Sequence, residues 1–279
     1  MSEQITASLK KRLDDMDKSF RVGAEASRNV LKEELQYYIL NFIYHDSRYR
    51  DSIMYGGSAL RIIHGLDRMS VDLDFEIQHV VTKKFLEELK ERVETYFSRT
   101  YDVGTGLLVV KVVGTRGLIL KFNIGEELSL GYHSKQIHVK IDLNHFVASG
   151  AVIERRPINR GQLSFVIITY NMAALMASKL AAIFLRGKRG VGQDIFEEKG
   201  RDIYDLLWYM GKKVVPDFDY LLANGIDVGN PRLLFDKLTR QINKVNNENL
   251  KQDLTPLFLD QTYIANWLKN WRESYLTLL

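Results

Sequence analysis

At 279 residues and 46% hydrophobic content, the chain is long enough to bury a sizeable core and to form two lobes. It contains no cysteine, which excludes disulfide frameworks and zinc sites built from thiolates. The net charge of +4 permits a nucleic-acid partner without indicating one, and Met1–Ile5 lack the pattern of a signal peptide. We therefore expect a cytoplasmic protein with no membrane segment.

The first elements in chain order lead to a glycine-rich turn. Apolar spacing predicts opening helices, the stronger over residues 28–44, and then a short strand at Ile53–Tyr55. Gly56–Ser58 interrupt the apolar run before a helix that begins near Ala59. Glycines let backbone N–H groups approach an anion, and the positive end of a helix dipole favours it. This strand–turn–helix unit is typical of a phosphate-binding turn, although an ordinary glycine turn has the same pattern.

Acidic and apolar residues alternate in the next predicted strand, Val71–Ile77. A period of two places Asp72, Asp74 and Glu76 on one face and the apolar residues on the other. Neighbouring carboxylates on a partly buried strand repel each other unless a cation neutralises them. Mg²⁺ is the expected ion because it prefers oxygen ligands and usually bridges carboxylates to phosphates, with Mn²⁺ as the alternative. An edge strand with a solvated acidic face would also show this alternation.

Beyond this strand, the pattern predicts one more helix and a set of strands. The helix covers residues 82–97, and the strands cover 107–113, 118–124, 136–143 and 163–168. In the strand at 136–143, Asp142 shares a face with Lys140 and Asn144. A Lys–Asp pair on a sheet surface is the ordinary interpretation of that alternation.

Helical patterns dominate from residue 171 onward, beginning with an apolar helix over Met172–Arg186. Lys179 interrupts a surface that is otherwise apolar nearly all round. Because burying an unpaired ammonium is costly, Lys179 should contact an anionic group. Arg186 follows on almost the same face, so both side chains could contact a triphosphate. The alternative for Lys179 is a side chain that reaches solvent from the helix edge.

A basic glycine-rich loop, Gly187–Asp194, follows this helix. It lacks the residue order of a P-loop, and we interpret it as a loop that meets nucleotide or acceptor phosphates. The next helix places Asp202 and Asp205 three positions apart and therefore on one face. Arg201 and Asp205 could equally form an ordinary surface pair at i,i+4. Two amphipathic helices, over residues 231–245 and 261–278, are predicted to close a helical lobe.

Two motifs stand in order in the first half of the chain. Residues 56–61 read Gly-Gly-Ser-Ala-Leu-Arg, residues 68–75 read Arg-Met-Ser-Val-Asp-Leu-Asp-Phe, and thirteen residues separate Ser58 from Asp72. The joint pattern resembles the nucleotidyltransferase superfamily that includes DNA polymerase β, whose signature is Gly-Ser followed by Asp-x-Asp. More narrowly, both motifs are similar to those of the AbiEii/AbiGii toxin family, including its MenT-like members. Residues 201–206 resemble that family's Arg/Lys-Asp-x-x-Asp-Leu motif.

The resemblance implies roles for particular residues. Asp72 and Asp74 would hold Mg²⁺, and a third acidic ligand on a later strand, for which Asp142 is the candidate, would complete the metal site. Lys179 would counter the charge on the leaving pyrophosphate. Asp202 would be the functional acid, which orients Lys179 or an acceptor group with support from Asp205. The nucleotide-binding positions would be Gly56, Gly57, Ser58, Arg61, Arg68, Ser70, Lys179 and Arg186, where Arg61 and Arg68 either contact phosphate or brace the carboxylates.

The sequence therefore predicts an α/β protein. Residues 1–165 would form a nucleotidyltransferase core with a mixed β-sheet flanked by helices, and residues 166–279 a C-terminal helical domain. The family implies metal-dependent transfer of a nucleoside monophosphate from an NTP to an acceptor hydroxyl, with the 3′ end of tRNA as a candidate acceptor. It further implies a toxin of a toxin–antitoxin or phage-defence pair with a cognate antitoxin. Two alternatives stay open: a small-molecule nucleotidylyltransferase of the antibiotic-modifying kind, and a catalytically silent protein that binds nucleotide or a partner.

Overall fold

A computed structural model describes residues 3–16, 23–104, 106–125, 128, 136–146, 148, 150–185, 189–191, 194–196 and 199–279. The chain forms two compact units. The first comprises Met1–Gly65, Met69–Val147 and Glu154–Thr169, and the second comprises Leu66–Arg68, Ala148–Ile153 and Tyr170–Leu279. Two short segments that precede the predicted boundary at 165/166, Leu66–Arg68 and Ala148–Ile153, group with the second unit.

The first unit is a β-sheet with helices. Its helices are α1 (Glu3–Asp14), α2 (Ala24–His45), α3 (Gly56–His64) and α4 (Lys83–Tyr101). The strands of the sheet are β1 (Ile53–Tyr55), β2 (Asp72–Glu76), β3 (Leu108–Val113), β4 (Gly117–Phe122), β5 (Ile137–Asn144), β6 (Ile153–Arg160) and β7 (Leu163–Tyr170). The expected α/β class with a mixed sheet flanked by helices is confirmed.

The strands of this sheet lie in the order β3-β4-β5-β2-β1-β7-β6. The pairs β3–β4, β4–β5 and β1–β2 are antiparallel, whereas β2–β5 and β1–β7 are parallel. Burial alternates along β5, where Ile137, Val139, Ile141 and Leu143 are buried and the residues between them are not. One face of the central strands therefore belongs to the core, and the opposite face carries polar side chains.

Helix α4 shows why the apolar spacing predicted a helix here. Thr82 caps it, because its Oγ1 accepts a hydrogen bond from the Phe85 backbone N–H at 3.1 Å. One stripe is buried, made of Phe85, Leu86, Leu89, Val93, Phe97 and Tyr101. The helix ends at Asp102, which adopts a left-handed conformation with φ of 50°. It is thus one turn longer than the predicted 82–97.

Strand β6 was not predicted from the sequence. Its residues are mostly exposed, with no buried position along its length, and it contains Pro157. It lies at one end of the sheet, where a strand needs neither an apolar face nor every backbone N–H. Hydrophobic periodicity therefore gave no signal for it.

The second unit is mainly helical. Its helices are α5 (Met172–Leu185), α6 (Gly200–Gly211), α7 (Phe218–Ala223), α8 (Pro231–Ile242), α9 (Asn247–Leu254) and α10 (Gln261–Leu278), with a 3₁₀ turn at Thr255–Leu257. Two short antiparallel strands, β8 (Arg189–Val191) and β9 (Asp194–Phe196), begin in the segment interpreted as a loop and extend two residues beyond it. Helix α6 approaches α9 closely at Gly200, where a Cβ would lie 2.8 Å from the Leu250 Cα. No helix in the described residues is long and apolar enough to cross a membrane.

Candidate functional site

The glycine turn lies against β2, the strand that carries Asp72 and Asp74 and is called the acid strand below. Gly56 follows β1 directly, opens α3, and has φ of +72°, which side chains of L-residues rarely adopt. A Cβ at this position would lie 2.8 Å from the Asp74 Oδ2 atom. Both the backbone conformation and the space next to Asp74 therefore require glycine. The helix begins three residues earlier than the predicted start near Ala59.

We predict that Gly56→Ala destabilises the protein by about 1–2 kcal/mol through its left-handed backbone alone, with a further loss from the clash with Asp74. Gly114→Ala is the matched control, because Gly114 also has a positive φ of 61° but nothing within 4 Å of the added Cβ. Urea unfolding of both variants measures the difference. Equal losses would mean that the Asp74 contact at Gly56 does not constrain the turn.

Ser58 lies in the first turn of α3 and is completely buried. Its Oγ atom has no hydrogen-bond partner among the described residues. A buried hydroxyl without a partner is uncommon, because losing its hydrogen bond to water costs free energy. The sequence predicted Ser58 as a phosphate donor, and the structure places its hydroxyl below the protein surface.

The carboxylates of the Asp-x-Asp strand share one sheet face with a third. In the parallel pairing of β2 with β5, Asp74 lies opposite Asp142 and Asp72 lies opposite Lys140. Because the strands are in register, these four side chains project from the same face. The structure thus brings Asp142 beside Asp74, as required of a third acidic ligand.

Asp142 also forms the ion pair that the sequence offered as the alternative. Its Oδ2 atom accepts a hydrogen bond from Lys140 Nζ at 2.5 Å, with the two side chains 27% and 40% exposed. Among the described residues, no group of three or more His, Asp or Glu side chains already has the arrangement of a metal site. The role of Asp142 as a metal ligand therefore stays a prediction.

Gly117 is a second glycine at these acids, and the sequence gave no reason to single it out. It lies opposite Asp142 on β4, where a Cβ would lie 3.0 Å from Asp142 Oδ1 and 3.1 Å from the Ile141 carbonyl oxygen. In the sequence, Gly117 looks like one of the turn residues of the β3–β4 hairpin. Its position shows that backbone, not a side chain, borders the acids on this side.

Tyr55 borders the acids on the other side. It lies opposite Asp74 in the β1–β2 pairing. Burial raises the pKa of its hydroxyl well above the ordinary value, and the negative charges of Asp74, Glu76 and Asp142 raise it further. The Tyr55 hydroxyl therefore keeps its proton at neutral pH and can donate a hydrogen bond.

Two of the predicted nucleotide-binding residues of the first unit are held by α2. Arg61 forms an ion pair with Glu33, at 2.9 Å between Arg61 Nε and Glu33 Oε1. The backbone N–H of Ser70 donates to the same Glu33 atom at 3.0 Å, and Ser70 is buried. The carboxylate that Arg61 contacts is Glu33 of α2, so its two predicted roles, contact with phosphate or with the carboxylates of Asp72 and Asp74, both stay predictions.

The second unit contains a buried cluster of four charged side chains: Arg68, Lys179, Asp202 and Asp205. Arg68 binds Asp205 with two hydrogen bonds, Nε to Oδ1 at 2.6 Å and Nη2 to Oδ2 at 2.7 Å. Lys179 Nζ lies 3.0 Å from Asp202 Oδ1 and 2.9 Å from Asp205 Oδ2. Lys179 thus contacts anionic groups as predicted, but they are protein carboxylates. Arg68, predicted to bind nucleotide, is 1% exposed and points into this cluster.

The pKa values in this cluster follow from its charges. Burial alone would lower the pKa of Lys179, but Asp202 and Asp205 raise it above the ordinary value. Burial alone would raise the pKa of Asp205, but Arg68 and Lys179 hold it below the ordinary value. Both groups are therefore charged at neutral pH, and the cluster is a set of buried ion pairs.

The remaining predicted residues differ in what the structure says of them. Gly57 is buried in the first turn of α3. Arg186 and the residues 187–188 and 192–193 of the basic loop lie outside the described residues.

Lys32 of α2 lies near the acids but was not predicted from the sequence. Burial lowers the pKa of its amine, and the charge of Asp72 opposes that effect. This places a cation near the first acid of the strand.

Comparison with known proteins gives one family match. The model described as nucleotidyl transferase AbiEii toxin, type IV toxin–antitoxin system, matches residues 41–274. The crystal structure of JHP933 from Helicobacter pylori aligns at 15% identity with a TM-score of 0.43, over 90% of this chain and 97% of that chain. A structure described as a "putative nucleotidyltransferase from H. pylori" aligns at 15% identity with a TM-score of 0.37, over 86% and 96%. The search of curated proteins gives no match.

Proposed function

The chain belongs to the AbiEii nucleotidyl transferase toxin family, and from that membership we propose that it transfers a nucleoside monophosphate from an NTP to the 3′ end of tRNA with the help of Mg²⁺. Family membership supports nucleotidyl transfer, the toxin role and an antitoxin partner. The nucleotide, the metal and the acceptor are our proposal.

One observation carries this proposal: the glycine turn and the acids meet on neighbouring strands. Gly56 touches Asp74, Asp74 lies opposite Asp142, and Asp142 lies opposite Gly117. The first N–H groups of any helix lack acceptors within that helix and favour anions. The first turn of α3 thus offers phosphate-binding groups next to carboxylates suited to a divalent cation. Nucleotidyl transfer requires this combination, because the phosphates must be held beside the metal ligands.

The residues at the acids fit a magnesium ion by their chemistry. Asp72, Asp74 and Asp142 supply carboxylate oxygens, which are the ligands that Mg²⁺ prefers. Gly56 and Gly117 allow two of these carboxylates to pack directly against backbone, in positions that a Cβ would obstruct. When bound, such an ion neutralises charge on the phosphates and lowers the pKa of the attacking hydroxyl. The protein itself fixes the three carboxylates on one rigid sheet face and holds the phosphates at the turn.

We predict that Asp142→Asn raises the half-saturating Mg²⁺ concentration on the order of 10–100-fold, the range seen when groups around a metal are removed. Lys140→Met should leave that concentration unchanged or lower it, because Lys140 competes for the same Asp142 oxygen. Titration of activity with Mg²⁺ measures both variants. An unchanged requirement in Asp142→Asn would assign this residue to a surface ion pair alone.

A row of basic side chains near the acids supports an RNA acceptor. On the polar face of the sheet, Lys121 of β4 lies opposite His138 of β5. Lys140 is on the same face of β5, two residues closer to Asp142. Burial lowers the pKa of His138, and the positive charges of Lys121 and Lys32 lower it further. His138 is therefore uncharged at neutral pH, and the cations of this row are Lys121 and Lys140, whose ammonium groups are suited to contact RNA phosphates.

Lys179 and Asp202 stay our candidates for catalytic groups of the second unit. The contact between Lys179 Nζ and Asp202 Oδ1 supports the predicted role of Asp202 in orienting Lys179. The exposed fraction of the Lys179 side chain is only 10%. Two carboxylates therefore fix the position of the Lys179 ammonium, which would stabilise the charge that develops on the leaving pyrophosphate.

The experiment that tests the proposal is incubation of the purified protein with each labelled NTP, Mg²⁺ and total tRNA, in parallel with aminoglycosides as acceptors. We expect label on tRNA with release of pyrophosphate, and stronger inhibition by salt in wild type than in Lys121→Gln. Label on the aminoglycoside would assign the small-molecule alternative. NTP binding without pyrophosphate release from any acceptor would assign a catalytically silent protein.

A further inference from the structure

Glu33 lies in the middle of α2 and is buried. Its Oε1 atom accepts hydrogen bonds from Arg61 Nε at 2.9 Å and from the Ser70 backbone N–H at 3.0 Å. Its Oε2 atom lies 3.3 Å from Arg61 Nη2. A carboxylate removed from water is costly unless it is paired in this way, so these bonds hold Glu33 in place as well as its partners.

Gln36 completes the contact between α2 and the segment before the acids. Three residues after Glu33, and thus on the same helix face, its Nε2 atom donates to the Ser70 carbonyl oxygen at 2.9 Å. Gln36 is 0% exposed. Both backbone polar groups of Ser70 are therefore bound by side chains of one helix, which fixes the path of the chain at this residue.

The two partners of Glu33 belong to the two motifs of the site. Arg61 lies on α3, the helix that begins at Gly56. Ser70 lies two residues before Asp72, where β2 begins. One carboxylate therefore connects the helix of the glycine turn to the strand of the acids, through bonds to an arginine and to the backbone. All of these residues belong to the first unit.

We propose that Glu33 is a positioning residue for nucleotidyl transfer, which sets the placement of the glycine turn relative to Asp72 and Asp74 through Arg61 and Ser70. This inference rests on the proposed function in one respect, namely that the turn holds the phosphates of the nucleotide. A shift of about 1 Å between reacting groups costs on the order of 10²-fold in rate, so bonds that fix this distance have a large effect on turnover.

Glu34 provides a matched control. It is the next residue of α2 and is equally buried, since each of the two residues is 7% exposed. It also pairs with an arginine, since Arg160 Nη2 lies 2.6 Å from its Oε2 atom, and it accepts from Ser8 Oγ at 2.7 Å. These partners belong to neither motif. A loss of stability alone should therefore be similar in Glu33→Gln and Glu34→Gln.

The test compares Glu33→Gln, Glu34→Gln and wild type in NTP titrations of label transfer, together with urea unfolding. Glu33→Gln should lower kcat ~10–100-fold with a much smaller change in KM, because the groups that bind nucleotide remain but are misaligned. Glu34→Gln should keep kcat within about twofold while losing comparable stability. Hydrogen exchange at residues 70–74 should be faster in Glu33→Gln but unchanged in Glu34→Gln.

Gln36→Met serves as a second variant, because it removes the donor to Ser70 with little change in volume and no change in charge. It should lower kcat in the same direction and speed exchange in the same segment. Equal kcat values in the three variants and wild type would overturn the inference. So would a fall in Glu33→Gln that tracks its unfolded fraction. Failure of the proposed function would instead appear in the wild-type protein, which would transfer no label.

Discussion

Replacing Asp74 with Asn is expected to lower the rate of label transfer on the order of 10³-fold, because a bound metal ion contributes several kcal/mol and each 1.36 kcal/mol is tenfold. Asp74 is the carboxylate that touches the glycine turn and also lies opposite Asp142. Asn has the same shape, so the contact with Gly56 remains while the negative charge is lost.

The measurement is single-turnover label transfer at saturating Mg²⁺, with far-UV circular dichroism to show that the fold remains. Asp102→Asn is the control, because Asp102 is exposed at the end of α4 and tolerates Asn in its left-handed conformation. Wild-type activity in Asp74→Asn would show that the acid strand is not part of the active site. Activity recovered by a tenfold rise in Mg²⁺ would show a weakened metal site.

The second large effect is on stability. Asp205→Asn should lower the free energy of unfolding by about 3–5 kcal/mol, because it leaves the buried Arg68 guanidinium and Lys179 ammonium with one carboxylate fewer. Against a typical total of roughly 5–15 kcal/mol, this loss is a large fraction. Lys179→Met should also destabilise the protein, because it leaves Asp202 and Asp205 without the ammonium that contacts both.

Urea unfolding monitored by circular dichroism measures this loss. The control is Asp236→Asn, which changes an exposed aspartate of α8.

The contribution of this cluster to stability should depend on pH. The pKa of Asp205 lies below its ordinary value of 3.8, so the stabilisation of the fold by Asp205 is complete above that pH and falls as the carboxylate is protonated. The pKa of Lys179 lies above its ordinary value of 10.5, so its stabilisation is complete below that pH and is lost as the pH rises further. The difference between wild type and Asp205→Asn should thus be flat from about pH 4 to 10. A midpoint of urea unfolding for Asp205→Asn equal to that of wild type would contradict this account.

The acid strand was predictable because the sequence signal was local. Alternation with a period of two places Asp72 and Asp74 on one face wherever the strand lies in a sheet, and β2 has that alternation. The pairing partner was not predictable by periodicity, since strand order depends on contacts between distant segments. That Asp142 lies beside Asp74 was supplied by the family resemblance, and the register of β2 with β5 agrees with it.

The contacts of the basic residues were harder to predict. The sequence correctly indicated that Lys179 needs an anion, because its helix is otherwise apolar, but several acids could have provided one. Arg61 and Arg68 lie inside the matched motifs, yet their carboxylate partners are Glu33 and Asp205, 28 and 137 residues away. Glu33 itself lies in a helix whose spacing shows only that it is buried. A buried ion pair leaves no periodic pattern in either of its two segments.

The three residues Leu66–Arg68, which belong to the second unit, bear on how the protein acquires its structure during synthesis. Arg68 is translated 137 residues before Asp205, its ion-pair partner. Translation proceeds at roughly 5–20 residues per second, so Asp205 is synthesised on the order of 10 s after Arg68. Until α6 has been made, Glu33 and Gln36 of α2 can hold Ser70, in the segment that leads into the acid strand, but Arg68 lacks Asp205. We expect premature termination products that end before α6, and therefore lack this ion pair, to be harmless to the cell that makes them.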